Sequence, residues 1–213
     1  MVKKGAALVK GDEGLRYSII DYLNDRIKNS DNPKMVQLAK DMKAYCTYAK
    51  HYFDVRDGGS KEELPQIDDF QKVTAQDLEQ YACTVPTDIE HFAYKGTSLM
   101  LESNTSFRLY FSSDDKSQLT VTCGGKNMEV KESGGFYYVE VTDISARNIN
   151  KMYDITVSNG TDTSTAHHGP LGYAHWALLQ ENPDAQRLAL QRTMMGLYRY
   201  NQSAETYFAA QGQ

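Results

Sequence analysis

The chain lacks the long apolar runs, the clustered cysteines and the excess of basic residues that mark several common protein classes. No stretch approaches the eighteen or so apolar residues of a transmembrane helix, so we expect no membrane insertion. Its 28 acidic residues outnumber its 23 basic residues, which gives a net charge of −5. Because proteins that bind a phosphate backbone usually present a basic face, this charge argues against a nucleic-acid partner.

Cysteine is scarce, and the three cysteines, Cys46, Cys83 and Cys123, are isolated in the sequence without a C-x-x-C pair. This pattern excludes a zinc ribbon and a dense disulfide scaffold. Two alternatives remain: one disulfide with a leftover thiol, or three reduced and mostly buried thiols, of which we favour the second. Cysteine usage does not decide the compartment.

We do not expect residues 1–10 to act as a secretory signal peptide, because they offer only a short apolar stretch between lysines. A signal peptide needs about 7–15 consecutive apolar residues. We therefore expect either a cytosolic protein or a piece of a longer one.

Motifs that carry catalysis are also missing from the sequence. There is no H-E-x-x-H pair, no G-x-S-x-G elbow and no glycine-rich phosphate loop. His168 and His175 are seven residues apart rather than the four typical of helical zinc ligands, and with His167 they fit polar caps at the start of a helix. We expect no metal and no cofactor.

A carboxylate cluster for glycosidase chemistry would need Asp114 and Asp115 to combine with Glu102 and Asp143. Asp114 and Asp115 fit more simply as the tip of a β-hairpin, where aspartate favours turns. We therefore expect no catalysis, and a hydrolase built on His167, His168 and nearby acids is the least favoured function.

What the sequence does contain is helical periodicity at both ends. Ser18 and Asp21 predict a capped helix that ends near Ser30, and Asn32-Pro33 predicts a second helix, which Asp57-Gly58-Gly59 stops. The short connection predicts an antiparallel helical hairpin. Gly169-Pro170 and Asn182-Pro183 predict a second helix pair near the C-terminus.

The two helix pairs share a spaced motif. Residues 45–53 and 200–208 both read Y-x-x-x-A-x-x-Y-F, and an Asn-Pro step precedes each motif. Identity at this spacing suggests duplication of a helix-pair unit. Of the 15 tyrosines, nine fall in these helix pairs, so packing of the repeat explains much of the tyrosine excess.

Between the helix pairs the apolar period is two. Phe107, Leu109 and Phe111 alternate with polar residues, short strands of this kind recur until about residue 166, and Asn159-Gly160 predicts a two-residue hairpin turn. The fold class is therefore α+β, an antiparallel β-sandwich or small barrel flanked by two repeated helical hairpins in the order αα–β–αα. The expected segments are 1–54 (first hairpin), 55–81 (connection with a short helix from Thr74), 82–168 (β domain) and 169–213 (second hairpin), packed as one compact unit.

Several of these segments resemble one known module. Residues 17–22 (YSIIDY), 73–78 (VTAQDL) and 96–103 (GTSLMLES), together with the Y-x-x-x-A-x-x-Y-F helix ends, are similar to a helix-pair and β-sandwich repeat of large secreted, cell-surface proteins of gut clostridial and ruminococcal bacteria. The resemblance covers about residues 15–210. It implies an extracellular setting in a longer multi-modular chain and supplies no catalytic residue. Cys46 and Lys50 depart from its pattern, where glycine and glutamine are common.

The best interpretation is a non-catalytic module of a bacterial surface protein, serving spacing, adhesion or recognition of a protein or glycan partner. The alternative is a carbohydrate-binding module. Its candidate site residues are Tyr110, Tyr137, Tyr138 and Arg108, because aromatic rings on a strand can stack on sugars if their face is exposed. If that face packs on helices, the same rings are core residues.

Overall fold

The computed structural model describes residues 9–10, 16–59, 72–101 and 105–212. The chain divides into two compact units. The helical unit comprises Met1–Lys72 and Asp184–Gln213, and the β unit comprises Val73–Pro183. Among the described residues, no helix has the length and hydropathy needed to cross a membrane.

The elements that the structure describes are, in chain order, four α-helices and ten strands. The helices are α1 (Ile19–Asn29), α2 (Pro33–Arg56), α3 (Pro170–Leu178) and α4 (Ala185–Ala210). The strands are β1 (Val9–Lys10), β2 (Arg16–Tyr17), β3 (Ala93–Leu101), β4 (Thr105–Ser112), β5 (Thr120–Cys123), β6 (Lys126–Asn127), β7 (Lys131–Ser133), β8 (Phe136–Ile144), β9 (Tyr153–Ser158) and β10 (Thr163–His168). The 3₁₀ helices are Ala75–Tyr81, Lys116–Gln118 and Ala146–Asn148.

Side-chain caps set the starts of the first two helices where the sequence predicts them. The Ser18 hydroxyl accepts a hydrogen bond from the Asp21 amide at 3.1 Å, and α1 begins at the next residue. Asn32 Oδ1 accepts from the Lys34 amide at 3.0 Å, and Pro33 opens α2, where its missing N–H is not needed. The helix from Thr74 is also confirmed, as a 3₁₀ helix with a capping box.

The two motif-bearing helices, α2 and α4, pack on each other and build most of the helical unit. The equivalent residues Tyr45 and Tyr200 stack, with ring centroids 5.9 Å apart and an angle of 8° between the planes. Gly196 permits this approach, because a Cβ there would lie 2.9 Å from the Tyr45 Cα. Asp41 lies one turn before Tyr45 on α2, and its partners on α4 are Arg199 and Ser203, the latter about one turn after Tyr200. Because an earlier position on α2 meets a later position on α4, the two helices run antiparallel.

The β unit contains two four-stranded antiparallel sheets, which confirms the predicted α+β class and the antiparallel pairing. One sheet has the strand order β10-β9-β5-β6 and the other has the order β3-β4-β8-β7. Phe107, Leu109 and Phe111 on β4 are fully buried, as their alternation predicts. The Phe107 ring contacts the rings of Tyr153 on β9 and His168 on β10, at centroid distances of 5.7 and 5.3 Å. These contacts join the two sheets.

The C-terminal helices are divided between the two units, since α3 belongs to the β unit and α4 to the helical unit. The backbone turns between them at Asn182, whose φ is 49°, and Pro183 cannot continue a helix. The β9–β10 turn has four residues rather than two, because Asn159 Oδ1 accepts from the amides of Thr161 and Asp162.

Candidate functional site

The structure brings three of the four predicted site residues together on one face of the β3-β4-β8-β7 sheet. This outer face is opposite Phe107, Leu109 and Phe111. The ladder register places Arg108 across from Glu140 and Tyr110 across from Tyr138. Because side chains alternate along a strand, these four residues share the outer face, and we call them the outer-face cluster.

Charge interactions fix the middle of the outer-face cluster. Arg108 Nε lies 3.2 Å from Glu140 Oε1, and the Ser106 hydroxyl donates to the same oxygen at 2.7 Å. Lys131 Nζ lies 4.0 Å from Glu140 Oε2. Burial opposes ionisation of Glu140, but the Ser106 hydrogen bond and the Arg108 guanidinium outweigh it and lower its pKa. The carboxylate therefore stays charged at neutral pH.

The aromatic part of the outer-face cluster is tilted rather than flat. The Arg108 guanidinium carbon lies 4.8 Å from the Tyr138 ring centroid, a cation–π contact. The Tyr110 and Tyr138 centroids are 5.5 Å apart with 39° between the ring planes. The Ser98 hydroxyl donates to the Tyr110 oxygen at 3.4 Å, and both rings are half-buried. The cluster thus offers two rings, a guanidinium and a carboxylate in fixed positions.

Tyr137, the fourth predicted residue, lies on the other face of β8. It pairs with Phe111 in the ladder, and the two ring centroids are 5.9 Å apart. Lys116 Nζ lies 4.9 Å from the Tyr137 centroid. Neighbouring residues on a strand point to opposite sides, so Tyr137 and Tyr138 cannot belong to one surface.

A pocket in the β unit is a feature that the sequence analysis missed. It has a volume of about 450 Å³ and lies among β3, the segment after the 3₁₀ helix Ala75–Tyr81, the end of β10 and α3. Its lining residues are Ala82, Cys83, Val85, Tyr94, Gly96, Thr97, His168, Gly172, Tyr173, His175, Trp176 and Leu179. The sequence signal that was available is the only tryptophan, three residues after a tyrosine on α3. The rings of Tyr173 and Trp176 lie 5.4 Å apart.

The polar side of this pocket is formed by Thr97 and His168. His168 Nε2 lies 2.9 Å from the Thr97 hydroxyl, and His168 Nδ1 is buried with no hydrogen-bond partner among the described residues. Burial, with a smaller contribution from His167, lowers the pKa of His168 to about 4, so the imidazole is neutral at pH 7. A buried nitrogen without a hydrogen-bond partner is costly and uncommon in folded proteins.

All three cysteines are free thiols in the structure, and Cys83 is the one that lines the pocket. Burial raises its pKa to about 11. A thiol with this pKa is protonated at neutral pH, so it serves as an apolar lining group rather than a nucleophile.

The histidine and carboxylate candidates do not meet in one cleft. His167 Nδ1 lies 2.7 Å from Asp154 Oδ1, but both side chains are substantially exposed. His168 lines the pocket and has Thr97 rather than a carboxylate as its partner. The two features that a histidine-based hydrolase needs, a cleft and a carboxylate partner, therefore fall on different residues.

The predicted β-hairpin tip at Asp114 and Asp115 is wrong, because the strands on either side of them, β4 and β5, belong to different sheets. Asp115 instead caps the 3₁₀ helix Lys116–Gln118, where its Oδ1 accepts from the Ser117 amide at 3.0 Å, and Asp114 lies 2.9 Å from His91 Nδ1. Asp143 accepts from Thr142, and Glu102 lies outside the described residues. Within the described part of the chain, no group of three or more histidine, cysteine or acidic side chains is arranged to hold a metal.

Comparison of the chain with protein-family models, with curated proteins and with solved structures finds no match. The functional argument therefore depends on the outer-face cluster, the pocket and the sequence resemblance described above.

Proposed function

We propose that the chain is a non-catalytic interaction module that recognises a protein partner through the outer-face cluster. The observation that carries this proposal is the fixed grouping of Arg108, Tyr110, Tyr138 and Glu140 on a sheet face opposite the core. Tyrosine and arginine are enriched among the residues that dominate the energy of protein–protein binding. Side chains already held by contacts lose little conformational entropy when a partner binds.

The setting of this module follows from the sequence resemblance. We propose an extracellular, surface-attached protein of which this chain is one part, with adhesion or spacing as the wider role. The Phe107 contacts between the sheets support a β-sandwich as the fold of the β unit.

A carbohydrate-binding module is the second candidate, since it uses the same residues. Sugar rings stack most readily on a flat platform of exposed rings. The 39° angle between Tyr110 and Tyr138 and their half-burial leave no such platform. The geometry therefore favours a protein partner, whose contours can follow two tilted rings and a charge pair.

A peptide-display selection tests the proposal. A random-peptide library is selected on the wild-type protein and counter-selected on Tyr138→Ala. We expect peptides whose affinity falls at least tenfold on Tyr138→Ala and on Arg108→Gln. Tyr137→Ala is the matched control, because it removes a tyrosine one residue away on the opposite face, and it should leave binding unchanged.

Two results would reject the protein-partner proposal. One is enrichment that is equal on the wild-type and Tyr138→Ala proteins when both are folded by circular dichroism. The other is a glycan-array signal that Tyr138→Ala abolishes while no peptide is enriched, which would establish the carbohydrate alternative.

A further inference from the structure

The pocket beside α3 combines a cavity with exposed apolar side chains. Val85, Trp176 and Leu179 line it and are 59%, 51% and 54% exposed, so they lie at its opening. Large apolar side chains at this exposure are ordinary when scattered, but three around one cavity are characteristic of a binding site. A volume of about 450 Å³ falls in the range of small-molecule pockets.

The pocket carries no fixed charge. Among the described residues that line it there is no aspartate, glutamate, lysine or arginine, and its two histidines are the only ionisable nitrogens. His168 is almost fully buried and bonded to the Thr97 hydroxyl. A charged ligand would leave water here without meeting an opposite charge, which is strongly unfavourable.

Few hydrogen-bonding side chains line the pocket: Tyr94, Thr97 and His168 on the strands, and Tyr173 and His175 on α3. The Thr97 hydroxyl lies 2.9 Å from His168 Nε2, within hydrogen-bond distance, and Tyr94 lines the pocket three residues before Thr97 on β3. The apolar lining includes Trp176, Val85 and Leu179. A ligand with several hydroxyls, such as a sugar, would need more free hydrogen-bonding groups than remain once Thr97 and His168 are bonded to each other.

From this geometry we infer that the pocket binds a small, uncharged, ring-bearing molecule that is mostly apolar and carries a hydroxyl or carbonyl group. Its ring would pack against Tyr173, Trp176 and Leu179, which share one face of α3 and its C-terminal end, and against Val85. Its polar atom would face the Thr97 and Tyr94 hydroxyls. This site is independent of the proposed partner surface, because no residue of the outer-face cluster lines the pocket.

Trp176 makes the inference directly measurable, because the only tryptophan of the chain lines the pocket and reports its occupancy by fluorescence. The probe series keeps one ring and changes its charge: benzyl alcohol is neutral, benzoate is an anion and benzylammonium is a cation. We expect a saturable fluorescence change with benzyl alcohol, binding at least tenfold weaker for both ions, and no saturable change with methyl β-glucoside.

Two variants locate the signal in the pocket. Ala82 is exposed at the pocket wall with φ −53° and ψ 126°, which any residue tolerates, so Ala82→Phe should narrow the cavity and weaken benzyl alcohol binding at least tenfold. Leu179→Ala removes an exposed side chain of the pocket wall and should weaken benzyl alcohol binding about threefold. Phe136→Ala is the control, because Phe136 is also an exposed aromatic residue of the β unit but does not line the pocket.

The inference is overturned if benzyl alcohol gives no saturable change in the folded wild-type protein, or if benzoate, benzylammonium or the glucoside binds as well as benzyl alcohol. It is also overturned if folded Ala82→Phe binds benzyl alcohol with wild-type affinity. If Ala82→Phe does not fold, Leu179→Ala takes its place in this test.

Discussion

In the helical unit, Tyr45 and Tyr200 stack almost in parallel between α2 and α4, whereas in the β unit Tyr110 and Tyr138 meet at 39° on the outer face of a sheet. All four side chains are half-buried overall, but desolvation raises the pKa of Tyr45 and of Tyr200, which lie between packed helices. Tyr138 instead lies under the Arg108 guanidinium, beside a charged pair. The same residue type thus serves helix packing in one unit and a surface in the other.

The comparison is tested most strongly by removing rings from each unit. Tyr45→Ala and Tyr200→Ala should each lower the free energy of unfolding by about 2–3 kcal/mol, because each leaves a gap between packed helices. Tyr110→Ala and Tyr138→Ala should cost about 1 kcal/mol or less, because each removes a half-buried ring from a sheet surface. Urea denaturation followed by circular dichroism measures all four.

The helical pair also offers an internal control. Tyr45→Phe keeps the stacked ring and should lose much less stability than Tyr45→Ala. Sheet variants that destabilise as much as the helix variants would show that the outer-face rings are structural, which would remove the contrast between the units.

A second test uses the buried ionisable group of the β unit. Unfolded His168 binds a proton near pH 6.5, whereas burial lowers its pKa in the folded protein to about 4. Between pH 6.5 and pH 4 the unfolded state binds more protons than the folded state. The contribution of His168 to the free energy of unfolding is therefore complete above pH 6.5 and is lost as the pH falls towards 4. The loss should approach about 3 kcal/mol. Denaturation followed by Trp176 fluorescence measures it, and His168→Gln should abolish this part of the pH dependence.

The helical unit should respond to pH in the opposite direction, although more weakly. Burial raises the pKa of Asp41 above its usual 3.8, against the hydrogen bond from Gln37 and the charge of Arg199. The folded state therefore holds its proton longer, and stability falls as the pH rises through the range above 3.8. Thermal melts followed by the helical circular dichroism signal should show this slope, and Asp41→Asn should flatten it. A slope unchanged in Asp41→Asn would assign it to other groups.

Much of the secondary structure could be predicted from the sequence, because its signals are local. The Ser18 and Asn32 caps, the Thr74 capping box and the alternation through Phe107, Leu109 and Phe111 act within a few residues, and the structure contains each of them. The same alternation assigns Arg108 and Tyr110 to one face of β4 and separates Tyr137 from Tyr138 on β8. That Tyr138 lies across from Tyr110 required the strand register, which no local pattern supplies.

Helix partners and the pocket required the tertiary structure. The repeated motif shows that α2 and α4 are related, but only packing pairs Tyr45 with Tyr200 and assigns α3 to the β unit. The pocket joins Tyr94 and Thr97 on β3 to Trp176 on α3, about eighty residues apart, and no local pattern encodes that distance. The sequence by itself determined which residues form helices and strands and which side of each strand is apolar, since those depend on spacing and capping. Long-range packing decided which faces contact each other. Hydrophobic attraction does not distinguish one apolar surface from another, so the partners are selected by how closely their shapes fit.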